Sequence, residues 1–204
     1  MSKKGNRVPL TRSRDHAPQA DRSLALCWFC NVEAARQAGL EPVLCPVLEH
    51  VDAEDAMLIA ALPLFDANDL LMKDLARLDG LPLAGRPTAA AFFAADPFLH
   101  IGSLVDRLRE SRIQTVVNFP TVQIFDGMFG ANLDRMGCGV TLELERLAAL
   151  KKEGFDACAL MQSDDVLPRI RQAGLDRYAL LPPAQPAQRI PPRAAAAQHV
   201  IIFP

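Results

Sequence analysis

Thr88-Ala89-Ala90-Ala91-Phe92-Phe93, Ser103-Leu104-Val105-Asp106-Arg107-Leu108-Arg109-Glu110 and Gln114-Thr115-Val116-Val117-Asn118-Phe119 form the stretch on which the fold turns. The first run is short, continuous and apolar, as a parallel strand covered on both faces must be. The second has helical spacing: Ser103 can cap it, Leu104, Val105 and Leu108 face inward, and Arg107, Arg109 and Glu110 face water. The third is again strand-like. Strand, helix and strand in about thirty residues make a βαβ unit.

The same alternation runs outward in both directions. Upstream, strands are predicted at Leu24–Phe29 and Pro42–Val47, with a short helix between them from Asn31 to a stop at Gly39. Asp52 can cap a short helix through Ala61. Asp66-Ala67-Asn68-Asp69 opens a helix whose apolar stripe is Leu70, Leu71, Leu75 and Leu78, and Gly80 closes it. Downstream come a helix from Thr141 to Lys152, a strand from Ala157 to Met161, a helix from Asp164 to Ala173 stopped by Gly174, and a strand from Arg177 to Leu181. A linker rich in Pro, Ala and Gln spans 182–198, and His199–Phe203 reads as a last strand. Such alternation predicts an α/β fold with parallel strands. Periodicity alone does not separate an open doubly wound sheet from a barrel. No Gly-rich dinucleotide fingerprint or phosphate P-loop is present, so open-sheet nucleotide readings lack support.

Composition narrows the function classes. The chain has 204 residues, half of them apolar, and a formal net charge of −2. That balance creates no field to draw nucleic acid or an anionic membrane, and the apolar runs are too short to span a bilayer. Residues 1–22 are polar and aperiodic and are expected to form a disordered tail, leaving 23–204 as one domain. Five scattered cysteines fit a reducing cytoplasm. Cys27 and Cys30 form a lone C-x-x-C, readable as buried thiols, a redox pair or half of a zinc site. The four histidines show no metal spacing; His100, just past a strand, is a candidate general base.

Asn118-Phe119-Pro120-Thr121, Asp126-Gly127, Asn132-Leu133 and Gly137-Cys138-Gly139, leading into a helix that carries Glu143 and Glu145, resemble the signature of the phosphoenolpyruvate hydrolase-like TIM-barrel family, also called TIM-barrel signal transduction proteins. Asp66-Ala67-Asn68 and Asp96-Pro97-Phe98 are similar to further family segments, and the likeness covers roughly residues 24–181. There are departures. Trp28, Phe29 and Cys30 replace a glycine-rich turn. Phe65 replaces a glycine, and Phe92 and Phe93 replace small residues. Gly130 stands where the family has an arginine. A complete eight-fold barrel takes about 250 residues, so the resemblance implies a shortened TIM-type β/α barrel lacking its last β/α unit.

In a β/α barrel the chemistry sits at the C-terminal ends of the strands. The resemblance implies a hydrolase- or lyase-like reaction on a small phospho- or oxo-acid, with Mg²⁺ as cofactor. Asp96 is the expected metal ligand or base. Asn118 and Thr121 are expected to hold the anion, and Asp126 and Glu143 to assist as catalytic carboxylates. Asn132, Asp66 and Asn68 complete the expected substrate contacts. Plainer readings stand beside these: Asp66 as a helix N-cap, Asp126-Gly127 as a turn, Glu143 as a first-turn dipole partner, Asn132 as a loop brace. Phe92 and Phe93 either fill the barrel mouth or pack in the core. The competing function is a non-catalytic remnant barrel that binds or regulates. Its unpaired strand edges predict a homo-oligomer.

Overall fold

The computed structural model describes residues 24–27, 31–51, 58, 61–62, 64–82, 85–181 and 201–202. The disordered-tail expectation for 1–22, the linker 182–198, Cys30 and most of the helix expected at 52–61 lie outside them.

Among the described residues six strands run parallel: β1 (Leu24–Cys27), β2 (Glu41–Leu44), β3 (Ala89–Phe92), β4 (Thr115–Asn118), β5 (Asp156–Met161) and β6 (Arg177–Leu180). They lie side by side in chain order. Consecutive order without a reversal is what a singly wound barrel requires, and a doubly wound sheet lacks it. The described residues thus form a half-barrel, an incomplete TIM-type fold. The final strand differs from expectation. β7 (Ile201–Ile202) runs antiparallel and pairs with β1, Leu26 opposite Ile201.

Among the described residues the helices with defined bounds are α1 (Val32–Gln37), α2 (Ala67–Arg77), α3 (Ile101–Glu110), α4 (Gly127–Arg135), α5 (Val140–Lys152) and α6 (Leu167–Gln172). Parallel register puts Leu44, Ala90 and Val116 on one face, where they pack with Leu75, Leu104, Leu108, Leu147 and Ile170 of the helices. The opposite face carries Leu26, Val43, Ala91, Val117 and Leu160, buried with Val47, Leu48 and Val51 of the segment after β2. Both faces are therefore apolar and covered, which is why the strands read as continuous apolar runs rather than alternating ones.

Local chemistry moved several boundaries. Pro46 opens a 3-10 turn over Pro46–His50, cutting the second strand short of Val47. The α3 cap is His100, whose Nδ1 accepts the Ser103 N–H at 3.2 Å, so Ser103 is the capped residue and not the cap. The helix expected from Asp164 divides at Pro168 into a 3-10 turn (Asp164–Val166) and α6, because proline suits the first turn of a helix but not its interior. α4 occupies a stretch read as loop. Gly127, at φ +55° beside Asp126, starts it.

Candidate functional site

Most of the expected residues gather in two clusters at the C-terminal ends of the strands; Asp126 and Asn132 lie outside both. The first joins α2 to the loop after β3. Asn68, on α2, donates through Nδ2 to the Phe93 carbonyl at 3.0 Å and to Asp96 Oδ2 at 2.8 Å, and its Oδ1 accepts the Phe93 N–H at 2.9 Å. Asp96 Oδ1 accepts the Phe98 N–H at 2.9 Å. Asp66 caps α2 by accepting the Asp69 N–H at 2.8 Å, which is its plainer reading.

The second cluster centres on Glu143, which has no exposed surface. Its Oε2 accepts the Thr121 hydroxyl at 2.7 Å and Asn118 Nδ2 at 3.1 Å, and its Oε1 accepts the Val122 N–H at 2.8 Å. Burial raises its pKa from the ordinary 4.5 to about 7, against the opposing pull of the Thr121, Val122, Asn118 and Gln123 donors. Asn118 also accepts the Leu160 N–H at 2.7 Å. Gln123 Nε2 donates to the Leu160 carbonyl at 2.7 Å, and its Oε1 accepts the Gln162 N–H at 3.0 Å. The Phe119–Pro120 bond in this loop is cis. Arg146, one turn beyond Glu143 on α5, donates to the carbonyls of Ala94, at 2.7 Å, and Asp96, and so ties the two clusters together.

Beside the second cluster lies a cleft of about 340 Å³. Val122, Gln123, Phe125 and Asp126 line it from the β4 loop, Gly127, Gly130 and Ala131 from α4, Gly139 and Val140 from the start of α5, and Gln162 and Ser163 from the end of β5. Asp126 stands exposed at the N-cap of α4 and makes no capping bond, so its carboxylate is available to the cleft. Asn118, Thr121 and Glu143 sit beneath the cleft rather than in its wall, and Asn132 lies exposed on α4. Phe92 is buried among the helices and Phe93 packs against the other apolar cluster, so neither lines the cleft. Gln123, Gln162 and Ser163 are not among the expected site residues; Ser163, readable as a helix cap, makes no side-chain capping bond. Gln123 was within reach, two residues past Thr121 in the motif, but only the structure shows its carboxamide bridging the two loops.

Gly130 has a structural cause. A Cβ there would stand 2.4 Å from the Phe125 carbonyl oxygen, so with this backbone no side chain fits. At Gly139 a Cβ would meet Asp134 Oδ1 at 1.9 Å. Asn31, at the start of α1, is fully buried, and its carboxamide has no hydrogen-bond partner among the described residues. Among the described residues no three His, Cys, Asp or Glu side chains group as a metal site, and no helix is long and apolar enough to cross a membrane.

The model of the phosphoenolpyruvate hydrolase-like family matches residues 52–180, the span that holds both clusters and the cleft. The chain is similar to the uncharacterized protein y4oT of Sinorhizobium fredii (strain NBRC 101917 / NGR234), 33% identical over 119 residues, which are 58% of this chain and 59% of that protein. It is also similar to two proteins of Solanum lycopersicum. The ToMV resistance protein Tm-1(GCR237) is 32% identical and the ToMV susceptible protein tm-1(GCR26) 31% identical, each over 120 residues, which are 58% of this chain and 16% of each tomato protein. The chain thus spans less than two thirds of each of these relatives. With a half-barrel of strands in chain order, the Asn118–Thr121 loop locked to Glu143 and a family match across 52–180, the chain belongs to the phosphoenolpyruvate hydrolase-like family.

Proposed function

We propose that this chain binds a small phospho- or oxo-acid in the cleft between the β4 loop and the end of β5, and acts on it by hydrolase- or lyase-like chemistry. The observation that carries this reading is the cleft's position: it opens at the C-terminal ends of two parallel strands and is lined by the first residues of α4 and α5. Helix N-termini present N–H groups to an anion. Ser163 supplies a hydroxyl, and Asp126 supplies an exposed carboxylate able to take a proton. Asn118, Thr121 and Glu143 act one layer down, holding the loop that forms the floor. Both Asp96 oxygens already accept bonds, and a lone carboxylate does not make a resident metal site. Asp96 does not line the cleft either, so a Mg²⁺ ion would arrive on the acid's own oxygens rather than in a site built by this chain. The odd cysteine count supports a reducing, cytoplasmic setting.

The test is a thermal melt of the purified chain with a panel of phospho- and oxo-acids including phosphoenolpyruvate, each with and without Mg²⁺. A ligand that binds only the folded state raises the midpoint as its concentration exceeds its dissociation constant. One acid raising the midpoint is the expected result; a cooperative melt that none of them moves overturns it.

A different observation favours a second reading, a non-catalytic binding protein. α4 buries none of its residues, and Met128 is 84% exposed, with Phe129 and Met136 also open to solvent. Apolar surface of that kind marks contact with another protein. β6 is the outer strand of the sheet among the described residues and carries the exposed Tyr178 and Leu180. A second copy covering that edge would make a homo-oligomer. A monomeric mass by light scattering across a wide concentration range would count against it.

A further inference from the structure

Among the described residues, the carboxyl of Glu143 is the one titratable group under the cleft, and everything that bonds it is neutral. Three donors bond it directly, and the Gln123 side chain beside them also favours its charged form. Two of them, the Val122 N–H and the Asn118 amide, can only donate. The third, the Thr121 hydroxyl, already accepts the Gln123 N–H at 3.3 Å and can turn to accept from Glu143 as well. Val122 and Gln123 belong at once to this network and to the cleft wall, so a change in the network reaches the cleft within one residue.

The charged groups on the elements packed around Glu143 are occupied elsewhere. From β4 and its loop only Asn118, Thr121, Val122 and Gln123 face it, and β5 adds the main chain of Leu160, which Asn118 and Gln123 hold. On α5 itself, Glu145 is exposed and Arg146 donates to the carbonyls of Ala94 and Asp96. Past β3, the Asp96 carboxylate is taken by Asn68 and the Phe98 N–H. Among the described residues no charge is therefore set against Glu143 to hold it in one protonation state.

We propose that Glu143 is a proton-operated switch beneath the cleft. As a carboxylate it ties Thr121, Val122 and Asn118 to α5. As a carboxylic acid it turns the Thr121 hydroxyl from donor to acceptor and releases the Asn118 amide. Loop 119–126, and with it the cleft floor, thereby has two settings selected by pH. Proton balance is simple: one proton moves from solvent to Oε2, the new O–H donates to Thr121 Oγ, and Asn118 Nδ2 keeps only its bond to the Leu160 carbonyl. The Val122 N–H stays on Oε1. The device does not depend on what the cleft binds.

The experiment follows the amide of Val122 and the side-chain amide of Asn118 by NMR in the full chain, between about pH 5.5 and about pH 8.5, the range where an acid of raised pKa would titrate. Both resonances should shift with one shared midpoint near the Glu143 value of about 7, and in Glu143→Gln that midpoint should vanish. Thr121→Val serves as the second variant should Glu143→Gln not fold. Losing the hydroxyl removes a donor that favours the charged form, so the shared midpoint should move to higher pH. Resonances that stay flat in the wild type, or a midpoint that Thr121→Val leaves unmoved, would overturn the switch.

Discussion

Asn118 Oδ1 accepts the Leu160 N–H at 2.7 Å just past the last main-chain pair of β4 and β5, Val117 opposite Cys158. The side chain continues the ladder where the backbone has already turned into the Phe119–Pro120 loop. Its amide reaches Glu143 at the same time. Asn68 does the same at the end of β3, bonding both the N–H and the carbonyl of Phe93. Two carboxamides thus finish the strand ends from which the candidate site is built.

Asn118→Ala should therefore cost more than an ordinary polar truncation. It leaves the buried Leu160 N–H unpaired and strips one donor from Glu143, and a group left unsatisfied costs about 1–3 kcal/mol. A chemical-denaturation midpoint lowered accordingly is expected, with the slope of the transition unchanged. A midpoint equal to the wild type would show that the bridge adds nothing.

Glu143 gives the stability curve a sign. Its folded pKa of about 7 lies above the ordinary 4.5, so the folded state holds the proton more tightly. The stability this group contributes is complete below about pH 4.5, declines as pH rises to about 7, and stays lost above that, a difference of about 3 kcal/mol. Subtracting the stability of Glu143→Gln from that of the wild type at each pH isolates this contribution. The difference should fall with rising pH; a difference that rises would reverse the assignment.

The fold was legible in the apolar runs. Leu24–Cys27, Ala89–Phe92, Thr115–Asn118 and Asp156–Met161 became strands because each is a short continuous run flanked by turn residues. Barrel order was not in the periodicity; it came from the family motif and stands in the sheet order. α4 was missed because Asp126-Gly127 carries turn chemistry and no face of the helix is buried to give it an apolar stripe. The site was legible as residues but not as roles. The sequence named Asn118, Thr121 and Glu143, yet burial, which decides that they face one another and not solvent, depends on the long-range docking of α5 against β4.

Gly130→Arg, which installs the residue that the family resemblance implies at this position, should fail. Any Cβ would stand 2.4 Å from the Phe125 oxygen, so α4 must shift or unwind. We expect at least about 2 kcal/mol lost, in the range of overpacking mutations. Gly102→Ala is the control, because its Cβ would meet only the edge of the His100 ring at 3.3 Å and it should cost far less. Equal midpoints for the two variants would contradict the steric account.

Arg177 bridges Glu41, at 2.9 Å, and Asp156, with Thr115 bonding Glu41 at 3.3 Å. This layer lies at the N-terminal ends of the strands, opposite the cleft. Arg177→Met leaves two carboxylates without their cation, and Glu41 is only 16% exposed. Lys151→Met breaks a pair with Asp176, which is 84% exposed. The first should cost about 1–3 kcal/mol and the second under about 1 kcal/mol. Denaturant melts of both variants at low and high salt check the order, and ligand binding in the cleft should be unchanged in either.

The most direct test of the cleft's role is calorimetric titration of phosphoenolpyruvate, with Mg²⁺, into the wild type and into Ala131→Trp. Ala131 is exposed on α4 and lines the cleft, so tryptophan fills the space without entering the core and should leave the melting midpoint nearly in place. Saturable heat in the wild type that is absent in Ala131→Trp is the predicted result. Saturable binding of equal strength in both would place the acid elsewhere on the half-barrel and contradict the account.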